Sequence, residues 1–246
     1  MIRQQRSTGG LCFSYGGLRG VIDPGPGALS RLCASSLPFA SDELDVVMLT
    51  HKHIDHSTDV NVMIECMTHG GFETRGTLVA PEDALYGEDP VVMKYSKKRV
   101  PVIEVPKDGR LIALERGVTA EPVLHLHHRV DCFGYIFRAP GLPVWGMISD
   151  SRMLPEFAER YKECEFLSIN ATFPNIKKRL DHISVEEASA LLESLHPKLA
   201  VLTHLGAMLT SEEGSHCLTG LDTEKTTVTA ANDGMTVDLS KIEICE

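Results

Sequence analysis

Long apolar runs are missing from this sequence of 246 residues. No stretch reaches the ~18–20 apolar residues that a membrane-crossing helix needs, so no membrane partner is expected. The start, Met1-Ile2-Arg3-Gln4-Gln5-Arg6, leads into glycines and not into an apolar signal core. A cytoplasmic location is therefore expected, not secretion. The seven cysteines are scattered, odd in number and contain no CxxC pair. That excludes a disulfide framework and a thiolate zinc site, and reads as reduced, mostly buried thiols. Basic charge is also short: 24 Lys and Arg face 34 Asp and Glu, for a net charge of −10. Such a field opposes long polyanions. Two local basic stretches, Lys94-Tyr95-Ser96-Lys97-Lys98-Arg99 and Lys177-Lys178-Arg179, read as solvated surface. A small-molecule substrate is thus favoured over nucleic acid, and a homodimer is compatible with the sequence. No low-complexity linker or repeat interrupts residues 1–246, so a single domain is expected, with a 43% hydrophobic content sufficient for a sizeable core.

The apolar patterning predicts strands and helices in alternation. Leu11 to Tyr15 and Arg19 to Ile22 flank a Gly16-Gly17 hairpin turn, and Asp23-Pro24-Gly25-Pro26-Gly27 forces the chain round before a short helix over 28–36. Asp45 to Leu49 reads as a buried strand. Val60, Met63, Ile64 and Met67 follow helical spacing over 57–68. Strands are expected at 77–80, 102–105, 110–114, 122–127, 134–139 and 144–149. Ser184-Val185-Glu186-Glu187 has the form of a capping box before a helix that Pro197 ends. Leu199 to Thr203 is a further strand, and 228–230 with 236–239 reads as a closing hairpin around Asn232-Asp233-Gly234.

What stands at the strand ends points to chemistry. Asp23 follows Val21-Ile22, Asp150 follows 144–149, and His204 follows Val201-Leu202-Thr203. His51 follows Val47-Met48-Leu49-Thr50 and opens the dense run His51-Lys52-His53-Ile54-Asp55-His56. Imidazole nitrogens and carboxylate oxygens are the donors that hold zinc, manganese or iron. One histidine after a strand is an ordinary loop residue; the same placement at several strands, added to this run, is not.

The run matches the HxHxDH signature through His51, His53, Asp55 and His56, and the chain resembles the metallo-β-lactamase superfamily. Asp23, Asp150 and His204 fit its other strand-end positions. The resemblance implies an α/β fold, the αββα four-layer sandwich of the metallo-β-lactamase fold, and two divalent metal ions. Zinc is the first expectation, and manganese or iron suit the same donors. One ion is expected on His51, His53 and His128, the other on Asp55, His56 and His204, with Asp150 and a hydroxide shared between them. Asp23 is expected to accept the N–H of a ligand histidine. Within Leu124-His125-Leu126-His127-His128, strand alternation puts His125 and His127 on one face and His128 on the other, which does not decide the ligand. Similarity to ribonuclease Z and the cyclic phosphodiesterases, where the ligand precedes a Phe-Gly-Tyr-type strand, favours His128 ahead of Phe133-Gly134-Tyr135, with His127 second. By the same likeness His182 is expected to act as an acid or to bind phosphate.

Departures from other branches narrow the activity. Asp150 stands where class B β-lactamases carry Cys, and His53 where flavodiiron proteins carry Glu. The stretches between Asp150 and His204 and after His204 are too short for the large nucleases and for glyoxalase II-like enzymes. The compact ribonuclease Z-like and cyclic phosphodiesterase-like branch remains, without the Gly-rich basic arm that holds transfer RNA. The expectation is a binuclear hydrolase cleaving a small or cyclic phosphodiester through the shared hydroxide, with Asp55 and His182 as catalytic residues. An ester, lactone or thioester hydrolase on the same site is the alternative. A non-catalytic metal- or partner-binding domain is the alternative of another class.

Overall fold

Two adjacent glycines, Gly16 and Gly17, sit at φ 58° and 79°, the left-handed pair that a two-residue hairpin turn requires. They join β1 (Leu11–Tyr15) to β2 (Leu18–Ile22), as the sequence suggested. The structure, a computed structural model, describes residues 10–212 and 214–245; the Met1–Arg6 stretch lies outside them. The chain divides into two compact units, Met1–Thr119 and Ala120–Glu246.

In the first unit, α1 (Ala28–Ala34) and β3 (Val46–Met48) follow the hairpin. Then come α2 (Ile54–Ser57), α3 (Val60–Met67), β4 (Thr77–Val79), α4 (Glu82–Tyr86), α5 (Lys94–Lys97), β5 (Val102–Glu104) and β6 (Ile112–Ala113). The sheet runs β1-β2-β3-β4-β5, antiparallel at the hairpin and parallel from β2 onward. Parallel order sends β2 and β3 to the same edge, so Asp23 and His51 emerge side by side. The apolar stripe of α3, Val60, Met63, Ile64 and Met67, is buried in one core with Val21, Val47 and Leu49 of the strands beneath it. Each such side chain contributes about 1.5–3 kcal/mol on burial.

The second unit carries β7 (Thr119–His127), β8 (Val130–Arg138), β9 (Trp145–Ile148), α6 (Phe157–Arg160) and β10 (Phe166–Phe173). They are followed by β11 (Ile183–Ser184), α7 (Val185–Leu195), β12 (Leu199–Thr203), β13 (Thr227–Ala230), β14 (Thr236–Asp238) and β15 (Glu243–Cys245). Its sheet runs β13-β12-β10-β9-β8-β7. β9, β10, β12 and β13 are mutually parallel, and β8 runs antiparallel to β9. A two-residue hairpin turns β7 against β8, so β7, β9, β10 and β12 all end at one edge. The capping box at Ser184 is present: Glu187 N–H donates to Ser184 Oγ, and Ser184 N–H to Glu187 Oε2. α7 then lays Val185, Ala188, Leu191 and Leu192 on Leu167, Ile169, Ala200 and Leu202.

One expectation changes, and one strand is added. β13 and β14 do not form a closing hairpin: β13 pairs in parallel with β12, and β14 pairs with β15. The Asn-Asp-Gly turn signal is real, but β13 finds a better partner in the exposed edge of a buried strand. β10, a strand at the centre of its sheet, was not read from the sequence at all. Among the described residues no helix is long and apolar enough to cross a membrane.

At the edge opposite the histidines, Asp45 opens β3 and is buried. It accepts hydrogen bonds from Arg19 N–H and Nε at 3.0 and 3.1 Å, and from Nη2 at 3.3 Å. Burial pushes its carboxyl up, but these bonds and the nearby charges of Arg19 and Arg116 outweigh that and hold it below its ordinary value. A lowered folded-state value means stability that is complete above about pH 4 and fades as pH falls through the lowered value. Asp45→Asn is expected to cost about 1.5–3 kcal/mol at neutral pH. In urea unfolding across a pH series, its gap to the wild type should narrow in acid; a gap that widens there would contradict the assignment.

Candidate functional site

At the end of β2, Asp23 takes a left-handed φ of 52° and donates its N–H to Met48 O at 2.9 Å. This turns its carboxylate back over the end of β3. Oδ1 accepts Thr50 N–H at 2.7 Å, while Oδ2 accepts the Thr50 hydroxyl at 2.6 Å and His56 Nδ1 at 3.0 Å. A carboxylate only accepts, so the His56 proton lies on Nδ1 and Nε2 keeps its lone pair. Thr50 has spent its one proton on Asp23; its oxygen therefore accepts from His51 Nδ1 at 3.0 Å, and His51 Nε2 keeps its lone pair too. Asp23 thus fixes two rings of the run, one directly and one through Thr50.

The rest of the run is pinned by α2. His53 caps that helix, His56 N–H donates to His53 O at 3.0 Å, and Ser57 Oγ lies 3.0 and 2.9 Å from the carbonyls of Lys52 and His53. The His51 ring lies 4.7 Å from that of His53 and 4.2 Å from that of His56, and His56 Nε2 stands 3.9 Å from Asp55 Oδ2. His53 and Asp55 also line an open cavity of about 340 Å³ with Lys52, Ile54, Asp89 and Val91. All four residues of the signature are therefore gathered at one sheet edge.

In the second unit the centre is Asp150, buried just past β9. Its Oδ1 accepts from Asn170 Nδ2 at 2.8 Å. Its Oδ2 faces His204 Nε2 at 3.5 Å, and His127 Nε2 and His182 Nδ1 each at 3.6 Å. These separations are too long for hydrogen bonds. They fit two donors bound to one cation: bonds of about 2.1 Å at a tetrahedral angle put ligand atoms about 3.4 Å apart. The donor types and their spacing suit a hard-to-borderline divalent ion. His204, at φ 54°, reaches toward the end of the neighbouring β10 as Asp23 reaches over the end of β3. Thr172 Oγ1 lies 3.1 Å from His204 Nδ1 and 3.2 Å from His182 Nδ1.

His127, the second choice of the two adjacent histidines, and not His128 stands beside Asp150. β7 runs through His127 with its inward positions buried: Val123, His125 and His127. His128 and Arg129 then form the hairpin turn at φ 41° and 62°. That backbone, costing roughly 1–2 kcal/mol for each non-glycine residue, swings the His128 side chain outward, where it is 38% exposed with Nδ1 3.9 Å from Asp181 Oδ2. Alternation along β7 continues to its last residue, His127, and the turn begins at the next. His127 Nδ1 donates to the Asp181 carbonyl at 2.7 Å, leaving Nε2 toward Asp150. His125 is buried against Phe157 with Nε2 3.2 Å from Tyr161 Oη. Burial holds it neutral, with its pKa pushed down to about 3.

Sequence reasoning missed Asn170 and Thr172, which hold Asp150, His182 and His204 in place. The signal was present in the alternation of Leu167, Ile169 and Ala171 with Ser168, Asn170 and Thr172. Thr203 completes the arrangement, its hydroxyl donating to Asn170 Oδ1 at 2.6 Å, so that Asn170 Nδ2 is aimed at Asp150.

Comparison with known proteins gives consistent results. Residues 19–205 match the family model described as the β-lactamase superfamily domain. An uncharacterized protein of Methanocaldococcus jannaschii, MJ1374, is 28% identical over 220 residues, which cover 86% of this chain and 80% of that protein. The metallo-β-lactamase fold protein YhfI of Bacillus subtilis matches with a TM-score of 0.76 at 18% identity, over 94% of this chain and 91% of its own. A diphosphatase of the PhnP family matches with a TM-score of 0.72 at 20% identity, over 97% and 86%. The fold is thus the metallo-β-lactamase fold, of the α/β class read from the sequence.

The geometry separates the two adjacent histidines experimentally. His127→Ala is expected to weaken zinc binding at least ~100-fold, beyond the usual cost of losing a partner behind a ligand, whereas His128→Ala should bind as the wild type does. Metal content by mass spectrometry and zinc titration read this directly, and the reverse ranking would favour His128 as the ligand.

Proposed function

The chain belongs to the metallo-β-lactamase superfamily, and from that membership we propose that it is a binuclear metal-dependent hydrolase of a small or cyclic phosphodiester. The observation that carries the reading is Asp150: a buried carboxylate oxygen faced by His204 Nε2 at 3.5 Å and His127 Nε2 at 3.6 Å, close enough to share a cation and too far to share a proton. In this proposal His51, His53, Asp55 and His56 of the first unit and His127, Asp150 and His204 of the second would be the donors that hold the ions. Two divalent cations, zinc in the first instance, supply an activated water and stabilise charge on the phosphoryl oxygens. Support for phosphorus as the reacting centre comes from the shared fold of the PhnP-family diphosphatase and from the absence of the cysteine that class B β-lactamases carry at the position of Asp150.

The protein's own side chains have defined tasks. Asp55, 28% exposed, binds and orients at the open side of its cluster. His204 ligating through Nε2 keeps its proton on Nδ1 and donates it to Thr172 Oγ1. Thr172 can then donate its own proton to His182 Nδ1, which leaves the mobile His182 proton on Nε2. His182, only 17% exposed, delivers that proton to the departing alkoxide.

Metal-replete protein is expected to hydrolyse bis-p-nitrophenyl phosphate and members of a cyclic nucleotide panel, and to lose that activity on chelation. Asp150→Asn should lower kcat by at least ~100-fold. Turnover of p-nitrophenyl esters or lactones without any phosphodiester turnover would replace the proposal with the carboxylic-ester alternative; stoichiometric metal with no turnover would favour a binding domain.

The acid role of His182 has its own signature. His182→Ala should cost roughly 100-fold or more on a substrate with an alkoxide leaving group. It should cost little on p-nitrophenyl phosphodiesters, whose leaving group departs without protonation. Equal losses on both would remove the acid role.

A further inference from the structure

Asp181 lies in the loop before β11 and makes three kinds of contact at once. Its carbonyl accepts His127 Nδ1–H at 2.7 Å. Its carboxylate Oδ2 accepts the backbone N–H of His128 at 3.0 Å. Its Oδ1 accepts Arg152 Nε at 3.0 Å and Nη2 at 2.8 Å. Arg152 is itself registered on β7, its N–H donating to Leu126 O at 3.1 Å, while the neighbouring Ser151 Oγ accepts Leu126 N–H at 3.2 Å. One residue therefore ties the end of β7, the chain just past Asp150 and the approach to His182.

What this tie holds is a backbone that would otherwise relax. His128 and Arg129 are both non-glycine residues in the left-handed region. Their turn sets where β7 stops, and hence whether His127 ends the strand facing Asp150 or rotates away. Fixing the proton on Nδ1 leaves Nε2 as the donor atom. On the reading that His127 holds a metal ion, we propose that Asp181 is a positioning residue: its carboxylate clamps the strained turn, so that its own carbonyl meets His127 Nδ1 and presents Nε2 for ligation. Arg152 is the outer half of the clamp.

Zinc titration and long-range nitrogen-15 NMR of the histidine rings test this on the full chain. Asp181→Ala keeps the carbonyl and removes the clamp. Zinc affinity should fall about 10–100-fold, and in metal-free protein the His127 signals, assigned by their loss in His127→Ala, should shift from the Nδ1–H form to a mixture of tautomers. Asp181→Asn, which keeps an acceptor for His128 N–H but loses the charge facing Arg152, should fall between. Adding His128→Gly to Asp181→Ala should restore most of the affinity, because glycine adopts the left-handed turn without strain. Asp181→Ala that binds zinc within twofold of the wild type and keeps the Nδ1–H signal overturns the proposal. If that variant does not fold, Arg152→Ala serves: a several-fold loss with the same tautomer shift supports the clamp, and unchanged binding with an unchanged tautomer overturns it. Wild-type protein that binds zinc no better than His127→Ala would instead refute the ligand reading of His127, a result distinct from failure of the clamp.

Discussion

An imidazole binds a cation only through a nitrogen that carries no proton, and in water the proton moves between the two nitrogens. The candidate site depends on ending that exchange. Asp23 fixes Nδ1–H of His56 directly and that of His51 through Thr50; the Asp181 carbonyl fixes that of His127; Thr172 stands at Nδ1 of His204. In each case Nε2 is left as the available donor. The holding groups are as much part of the arrangement as the donors, because a ring free to flip its tautomer or rotate loses affinity without any ligand being changed.

The holding groups are available because of sheet order. Parallel strands end at a common edge, so a residue following one strand can reach back to the residue following its neighbour. Asp23 after β2 reaches Thr50 and His56 after β3. Asn170 on β10 reaches Asp150 after β9, and Thr203 on β12 reaches Asn170. Apolar burial supplies the rigidity: Val47, Leu49, Ile148 and Ile169 are fully buried immediately before or beside these polar ends. The other edge of the first sheet is closed differently, by Asp45 among Arg19, Arg75 and Arg116, where ion pairs anchor strand starts and hold nothing chemical.

How much of this could be read beforehand followed from how local each signal is. The run His51 to His56 is contiguous and rich in donors, and the strand ends at Asp23, Asp150 and His204 are marked by apolar runs directly before them. The choice between His127 and His128 was not legible, since it turns on where β7 stops, and that is set by Asp181, far along the chain. β10 escaped because its polar residues, Ser168, Asn170 and Thr172, break the continuous apolar look of a central strand; Asn170 and Thr172 hold Asp150, His182 and His204, while Ser168 accepts the Trp145 Nε1–H in the core. The pairing of β13 was misread for the opposite reason: a strong local turn signal was outweighed by a vacant edge on β12.

The backbone carries a related conflict. Asp23, His128, Arg129 and His204 all occupy left-handed conformations that glycine would take without strain. Glycine is not used at 23 or 204 because the same residue must both reverse the chain and supply a side chain at the edge. The reversal lets each side chain reach the end of the neighbouring strand, so the strain and the placement are one feature. At 128 and 129 the side chains are not needed at Asp150, and the left-handed pair persists because the carboxylate of Asp181 accepts the His128 N–H that the turn exposes. Strain at the first two positions is thus offset by bonds the residue makes itself, and at the turn by a bond supplied from elsewhere. The turn is for that reason the place where a single distant carboxylate can decide which of two neighbouring histidines faces Asp150.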